Sequence, residues 1–314
     1  MSWARGLIAA AAAGVTAAGA ARLTYAAANR RPPGATKAWS RTNHRGEPVT
    51  LLEGPAVAAG AILGALAQAG LRSAAGGPGA WRRAMAMAAA GAGAAAFGAY
   101  DDLAGSGDRR GFRGHLGALR KGEVTTGTVK LGGIGVTGIA SAVLAGGSPA
   151  DVVINTGLVA GGANLLNLFD LRPGRAVKVA AASGVLIGAG ASLGGAGSAD
   201  VAAPLGAALA MLPEDLGERA MLGDCGANAL GAMLGAAAGG LPRPARIALL
   251  AGITGLTAAS EKVSFTKVIE RTPALRRLDM LGRRPAGDTG PAQFAGAATT
   301  LRSAENTDSA PPAE

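Results

Sequence analysis

Long apolar runs separated by short polar stretches set the pattern of this chain. The runs cover residues 4–28, 50–71, 81–100, 131–146, 150–169, 176–193, 200–213, 225–241 and 245–260, and are built mainly of Ala and Gly with scattered Leu, Ile and Val. A helix crosses the hydrocarbon core of a bilayer with ~20 residues at ~1.5 Å rise each. Runs of this length and spacing predict an all-α, polytopic membrane helix bundle of about nine transmembrane helices. The stretch 200–213 is the weak link, because without it every later segment changes sides. Residues 4–28 also resemble a secretory signal, with Arg5 in front and Ala18-Gly19-Ala20 behind. The bases that follow favour a retained span.

The polar stretches give the runs a direction. Arg30, Arg31, Lys37, Arg41 and Arg45 follow the first run, and Lys262, Lys267, Arg271, Arg276, Arg277, Arg283 and Arg284 follow the last. Most of the 30 Lys and Arg residues fall in alternate loops. Arg72, Arg82, Arg83, Arg243 and Arg246 are the bases of the other set. The positive-inside rule then puts the N-terminus outside and the base-rich loops in the cytoplasm. Residues 1–285 form the transmembrane unit. Residues 286–314, rich in Ala, Ser, Thr and Pro, read as a disordered tail.

Composition agrees with this picture. The chain is 49% hydrophobic and 16% charged, against ~25% charged in soluble domains. Its small-residue helices suit close packing. The net charge of +10 would also suit nucleic acid, but the bases cluster between apolar runs. That placement points to anionic headgroups and phosphorylated substrates instead. Cys225 is the single cysteine, so no internal disulfide forms, and its thiol reads as a small packing group.

The candidate chemistry is acidic. Asp101 and Asp102 stand where the third run stops, and Asp170 and Asp224 flank other inner ends. Carboxylates are costly in hydrocarbon, so all four belong at one membrane–water boundary. Such a set of hard oxygen ligands suits Mg²⁺, which takes substrate phosphates as further ligands. Asn164, Asn167 and Asp170 recur every three residues, which puts them on roughly one side of a helix. They suit either a base or ribose edge or a polar seam between helices. Glycines flank Asp224 in Gly223-Asp224-Cys225-Gly226 and allow close backbone approach. A helix starting there would favour phosphate. His44 and His115 read as surface-loop residues, and Phe112 and Phe265 as headgroup or helix contacts.

These motifs resemble the polyprenyl-phosphate N-acetylhexosamine-1-phosphate transferases, the family of phospho-MurNAc-pentapeptide translocase and the UDP-GlcNAc:undecaprenyl-phosphate transferase. The likeness covers roughly residues 40–285. It rests on the Asp101-Asp102 pair, on Asn164, Asn167 and Asp170, and most specifically on Leu222-Gly223-Asp224-Cys225-Gly226-Ala227-Asn228-Ala229-Leu230-Gly231. The resemblance implies Mg²⁺-dependent attack of polyprenyl phosphate on the β-phosphorus of a UDP-sugar, giving lipid-diphospho-sugar and UMP in cell-wall or envelope glycan synthesis. It implies Asp224 as metal ligand and Asp101 or Asp102 as the base or a second metal contact. Asn164, Asn167 and Asp170 would lie along the nucleotide, and Arg276 and Arg277 would take the role of a late histidine cluster.

The chain departs from the family pattern at several positions. Leu103-Ala104-Gly105 stands where a Lys often follows the Asp pair. Pro173 replaces a second Asp, and Met221 replaces an aromatic before the Gly-Asp motif. The family's last span has no counterpart. A non-catalytic relative that binds the lipid carrier or scaffolds envelope enzymes is the alternative reading, and a transporter a third. A transporter would carry its acids mid-span. Whether the chain acts alone or as a homodimer is open at this stage.

Overall fold

A computed structural model describes residues 3–77, 79–104, 122, 124–193 and 199–285. The stretch around Phe112 and His115 and the tail from residue 286 lie outside the described residues. The fold is helical: α1 (Trp3–Arg30), α2 (Glu53–Ala74), α3 (Ala80–Ala104), α4 (Thr126–Ala145), α5 (Pro149–Phe169), α6 (Arg175–Leu193), α7 (Ala202–Leu216), α8 (Gly223–Ala237), α9 (Arg243–Ser260), and the short α10 (Phe265–Arg271) and α11 (Pro273–Met280). Each apolar run therefore becomes a helix, including the weak one at 200–213.

Among the described residues, five helices are long and apolar enough to cross a membrane: α1 from Gly6, α2, α4, α5 and α6. Two of the boundaries that differ from the sequence reading bear on the acids. Helix α3 continues through Asp101 and Asp102, and α4 begins early enough to hold Lys130 in its second turn rather than in the loop. The Thr125 side chain starts α4 by accepting the Thr128 amide. The basic loop after α1 is not featureless. It forms a hairpin, β1 (Ser40–Thr42) and β2 (Pro48–Thr50), with Thr42 opposite Pro48. The Met221 amide donates to the Thr50 carbonyl and the Thr50 amide to that of Arg219, fastening the hairpin to the segment before α8.

Helix α8 lies at the centre, enclosed by α2, α3 and α5. Almost every residue from Gly223 to Ala237 is buried. Close approach makes this possible: a Cβ on Gly162 of α5 would sit 2.5 Å from the Gly231 carbonyl oxygen of α8. The core elsewhere is largely Ala, while Val15, Leu23, Val136, Val153, Val185 and Leu186 point outward. Small residues inside and branched residues outside are the inverse of a water-soluble helix bundle and suit a surface facing lipid.

The helices from α1 to α9 run alternately between two ends of the bundle. At one end, α7 closes with Asp215 among the loop residues Leu171, Arg172 and Pro173. At the other, Asp200, just before α7, meets Arg72 at the close of α2 at 3.0 Å. Segments 31–52, 170–174, 217–222 and 261–285 all gather at the first end. The last of these is tied down by Arg175, whose Nε and Nη2 donate to Asp279 at 2.7 and 3.1 Å. Phe265 stacks on Phe169 with centroids 5.1 Å apart.

Candidate functional site

Asp101, Asp102 and Asp224 converge at that first end. Helix α3 delivers the two adjacent acids in its last turn, and α8 starts beside them. Lys130 Nζ lies 2.7 Å from Asp101 Oδ2 and 2.5 Å from Asp224 Oδ2. One cation thus bridges two carboxylates from sequence positions more than a hundred residues apart.

Asp102 points elsewhere, because successive helical residues diverge by ~100°. Its Oδ1 accepts the Asp224 amide at 3.1 Å and its Oδ2 the Cys225 amide at 2.9 Å. Helix α8 has no side-chain cap of its own, so Asp102 caps it from a neighbouring helix and meets the positive end of its dipole. Gly223 is required here: its φ is +60°, and an added Cβ would lie 3.0 Å from Asp102 Oδ2. An Arg41 guanidinium from β1 donates to the Asp102 carbonyl.

Asp170 is the residue at which α5 ends, so it leaves the helix that carries Asn164 and Asn167. Burial, followed by the negative charges of Asp215, Asp224 and Asp102, pushes its carboxyl well above the usual carboxylate range, against the opposing effect of the Gly223 amide. Asp170 lines a cavity of about 190 Å³ with Asn43, His44, Arg172, Asp215 and Glu218. Pro173 and Met221, two of the departures from the family pattern, face the same cavity. Burial holds the His44 imidazole below its ordinary pKa; Glu218 opposes this while Arg172, Arg283 and Arg45 add to it.

The other expected residues stand apart. Asn164 Nδ2 donates to Thr257 Oγ1 of α9 at 3.4 Å, a link between helices. Asn167 is half-buried on α5. Arg276 and Arg277 are exposed on α11, and segment 261–285 contacts this end through Arg283 and Arg284 instead. Arg284 pairs with Glu47 at 2.8 Å. Cys225 is a buried free thiol.

Three residues at this end escaped the sequence reading. Lys130 passed for a loop base, although a lone cation at the edge of an apolar run is itself a signal. Glu53, the first residue of α2, is fully buried with neither carboxylate oxygen hydrogen-bonded. Asp215 is buried with Oδ2 unpartnered. Among the described residues, no three His, Cys, Asp or Glu side chains group as a metal site. Asp101 and Asp224 nevertheless define one cation position between two hard oxygen donors. That fits Mg²⁺, which takes one or two carboxylates and fills its shell with phosphate oxygens and water.

Comparison of the chain with known protein families and with curated proteins yields no match to either.

Proposed function

We propose that this chain is a membrane phosphoglycosyl transferase, a divergent relative of the polyprenyl-phosphate N-acetylhexosamine-1-phosphate transferases. It would move a sugar-1-phosphate from a UDP-sugar to polyprenyl phosphate and release UMP. The supporting observation is the meeting of Asp101 and Asp224 on a single cation, beside the cavity lined by Asp170. In this reading α1 to α9 all span the cell membrane, the N-terminus is outside, and the acid-rich end faces the cytoplasm, where UDP-sugars are made.

The roles follow from the contacts. Asp101 and Asp224 would hold Mg²⁺, which when bound supplies positive charge to the diphosphate. Asp102 is a positioning residue: it fixes the first turn of α8 and with it Asp224. Lys130 replaces the lysine missing after the Asp pair and offers its ammonium to a phosphate once substrate draws it from the carboxylates. The cavity at Asp170 takes the nucleotide side. A lipid phosphate oxygen attacks the β-phosphorus, the bond from that phosphorus to the bridging oxygen breaks, and UMP leaves. Such transfer asks the protein chiefly for positioning and charge neutralisation.

The test is a UMP-release screen across UDP-sugars with polyprenyl phosphate and Mg²⁺ in detergent. Activity with at least one UDP-sugar, reduced about a hundredfold or more by Asp224→Asn, is expected. Absence of UMP with every UDP-sugar overturns the reading. One observation favours a second one: Lys130 already neutralises Asp101 and Asp224, as it would in a non-catalytic relative that binds the lipid carrier. That protein would retain polyprenyl phosphate without releasing UMP.

A further inference from the structure

The end of the bundle opposite the acids holds the five bases that the charge pattern leaves on that side. Arg72 closes α2, Arg82 and Arg83 open α3, and Arg243 and Arg246 open α9. The ends of three helices at two separate turns carry them, yet all five gather round one cavity of about 520 Å³. Arg72, Arg83 and Arg246 line it. Arg82 reaches its rim, where Nε donates to the Leu144 carbonyl at 3.4 Å. Arg243 grips Asp151, another lining residue, at 2.8 Å.

Among the described residues, two acids answer these five cations. Asp200 lies 3.0 Å from Arg72 and 3.8 Å from Arg83. Asp151 lies 2.8 Å from Arg246 as well as from Arg243. Positive charge is therefore in surplus, and the Nε atoms of Arg72 and Arg246 are buried without a hydrogen-bond partner. An excess of guanidinium charge beside a cavity is costly unless an anion answers it. If the arginines only stapled the turns together, each would need one carboxylate and no cavity. Membrane proteins also deplete this side of bases, so the convergence of the exceptions is itself informative.

We propose that this cavity binds a phosphate-bearing anion. Guanidinium groups approaching from three helices match the spread of oxygens on a phosphate ester or diphosphate, each able to take a paired contact. The walls include Ala86, Met87 and Ala236, which suits a ligand with a carbon portion. The cavity size falls within the range of small-molecule sites. The anion is either a lipid headgroup or a soluble phosphate, and the chemistry of recognition is the same for both.

The test uses the full chain in detergent, with pyrophosphate as the soluble probe and native mass spectrometry with phosphatidylglycerol against phosphatidylcholine as the lipid arm. Expected is a rise in thermal stability with millimolar pyrophosphate beyond that from sodium chloride of equal ionic strength, or selective retention of phosphatidylglycerol. Either response identifies the source. Arg83→Gln, whose side chain is half-exposed and only loosely paired, should weaken it at least fivefold without unfolding the protein. Arg246→Gln should do the same where it folds. Asp224→Asn should leave it unchanged, which separates this site from the acid end. If neither probe is favoured, or if Arg83→Gln binds as wild type does, the proposal is overturned.

Discussion

Replacing Lys130 with Met isolates the electrostatics of the acid end. The Lys130 ammonium lies 2.7 Å from Asp101 and 2.5 Å from Asp224, so the two facing oxygens are at most about 5 Å apart. At an effective dielectric of ~20, two unit charges at that distance repel by about 3 kcal/mol. In Lys130→Met the methionine keeps the helix and most of the apolar stem but exposes this repulsion. The expected loss of stability is therefore about 3 kcal/mol in EDTA at neutral pH, several degrees in a thermal unfolding curve. Two treatments should relieve it. Acidification helps because a proton on either carboxylate removes the clash, and Mg²⁺ helps by taking the vacated position. The decisive measurement is the Mg²⁺-dependent rise in unfolding temperature, compared between Lys130→Met and wild type. A larger rise in the variant supports a shared cation position. An equal rise, or a stability loss below about 1 kcal/mol, refutes the assignment of Asp101 and Asp224 to one cation.

Other outcomes follow from the same contacts. Gly223→Ala should cost about 1–2 kcal/mol in detergent unfolding, because φ of +60° is strained for alanine and its Cβ presses on Asp102. Asp279→Asn should cost about 3–5 kcal/mol by leaving Arg175 buried without its counter-ion; proteolysis of segment 261–285 would report the loosening, and an unchanged cleavage rate would count against the pair. Asp170 has a carboxyl pKa raised in the fold, so its unfolded form ionises first as pH rises. Stability from this group is full below the unfolded pKa and falls as pH climbs toward the folded one. Asp170→Asn should therefore be at least as stable as wild type at pH 7.5 and flatten that decline. A variant less stable at pH 7.5 with the slope intact would contradict this.

Several elements were legible along the chain because they depend on local pattern. Nine apolar runs become nine helices, and even the lean stretch 200–213 crosses the bundle, since Asp200 and Asp215 emerge at opposite ends. The gathering of Asp101, Asp102 and Asp224 followed from counting alternate helix ends. Helix direction is set by chain order, so end-to-end alternation needs no knowledge of which helices touch.

Partnership was the part that the linear order concealed. Asp101 and Asp102 are neighbours of identical type, yet the ~100° step of a helix gives one a lysine and the other the amides of α8. Nothing in the Asp pair itself distinguishes them; only the position of α8 does. Glu53 and Asp215 carried no signal in the linear pattern, and packing closed over both. The five arginines at the far end read as exceptions to a charge rule, and only the tertiary placement of the ends of α2, α3 and α9 turned them into the lining and rim of one cavity. The chain alone determined which segments are helical and at which end each polar residue emerges, because hydrophobic period and length act locally. The tertiary structure decided which charge faces which, because that depends on the rotation and contact of helices whose small residues leave little trace in the pattern.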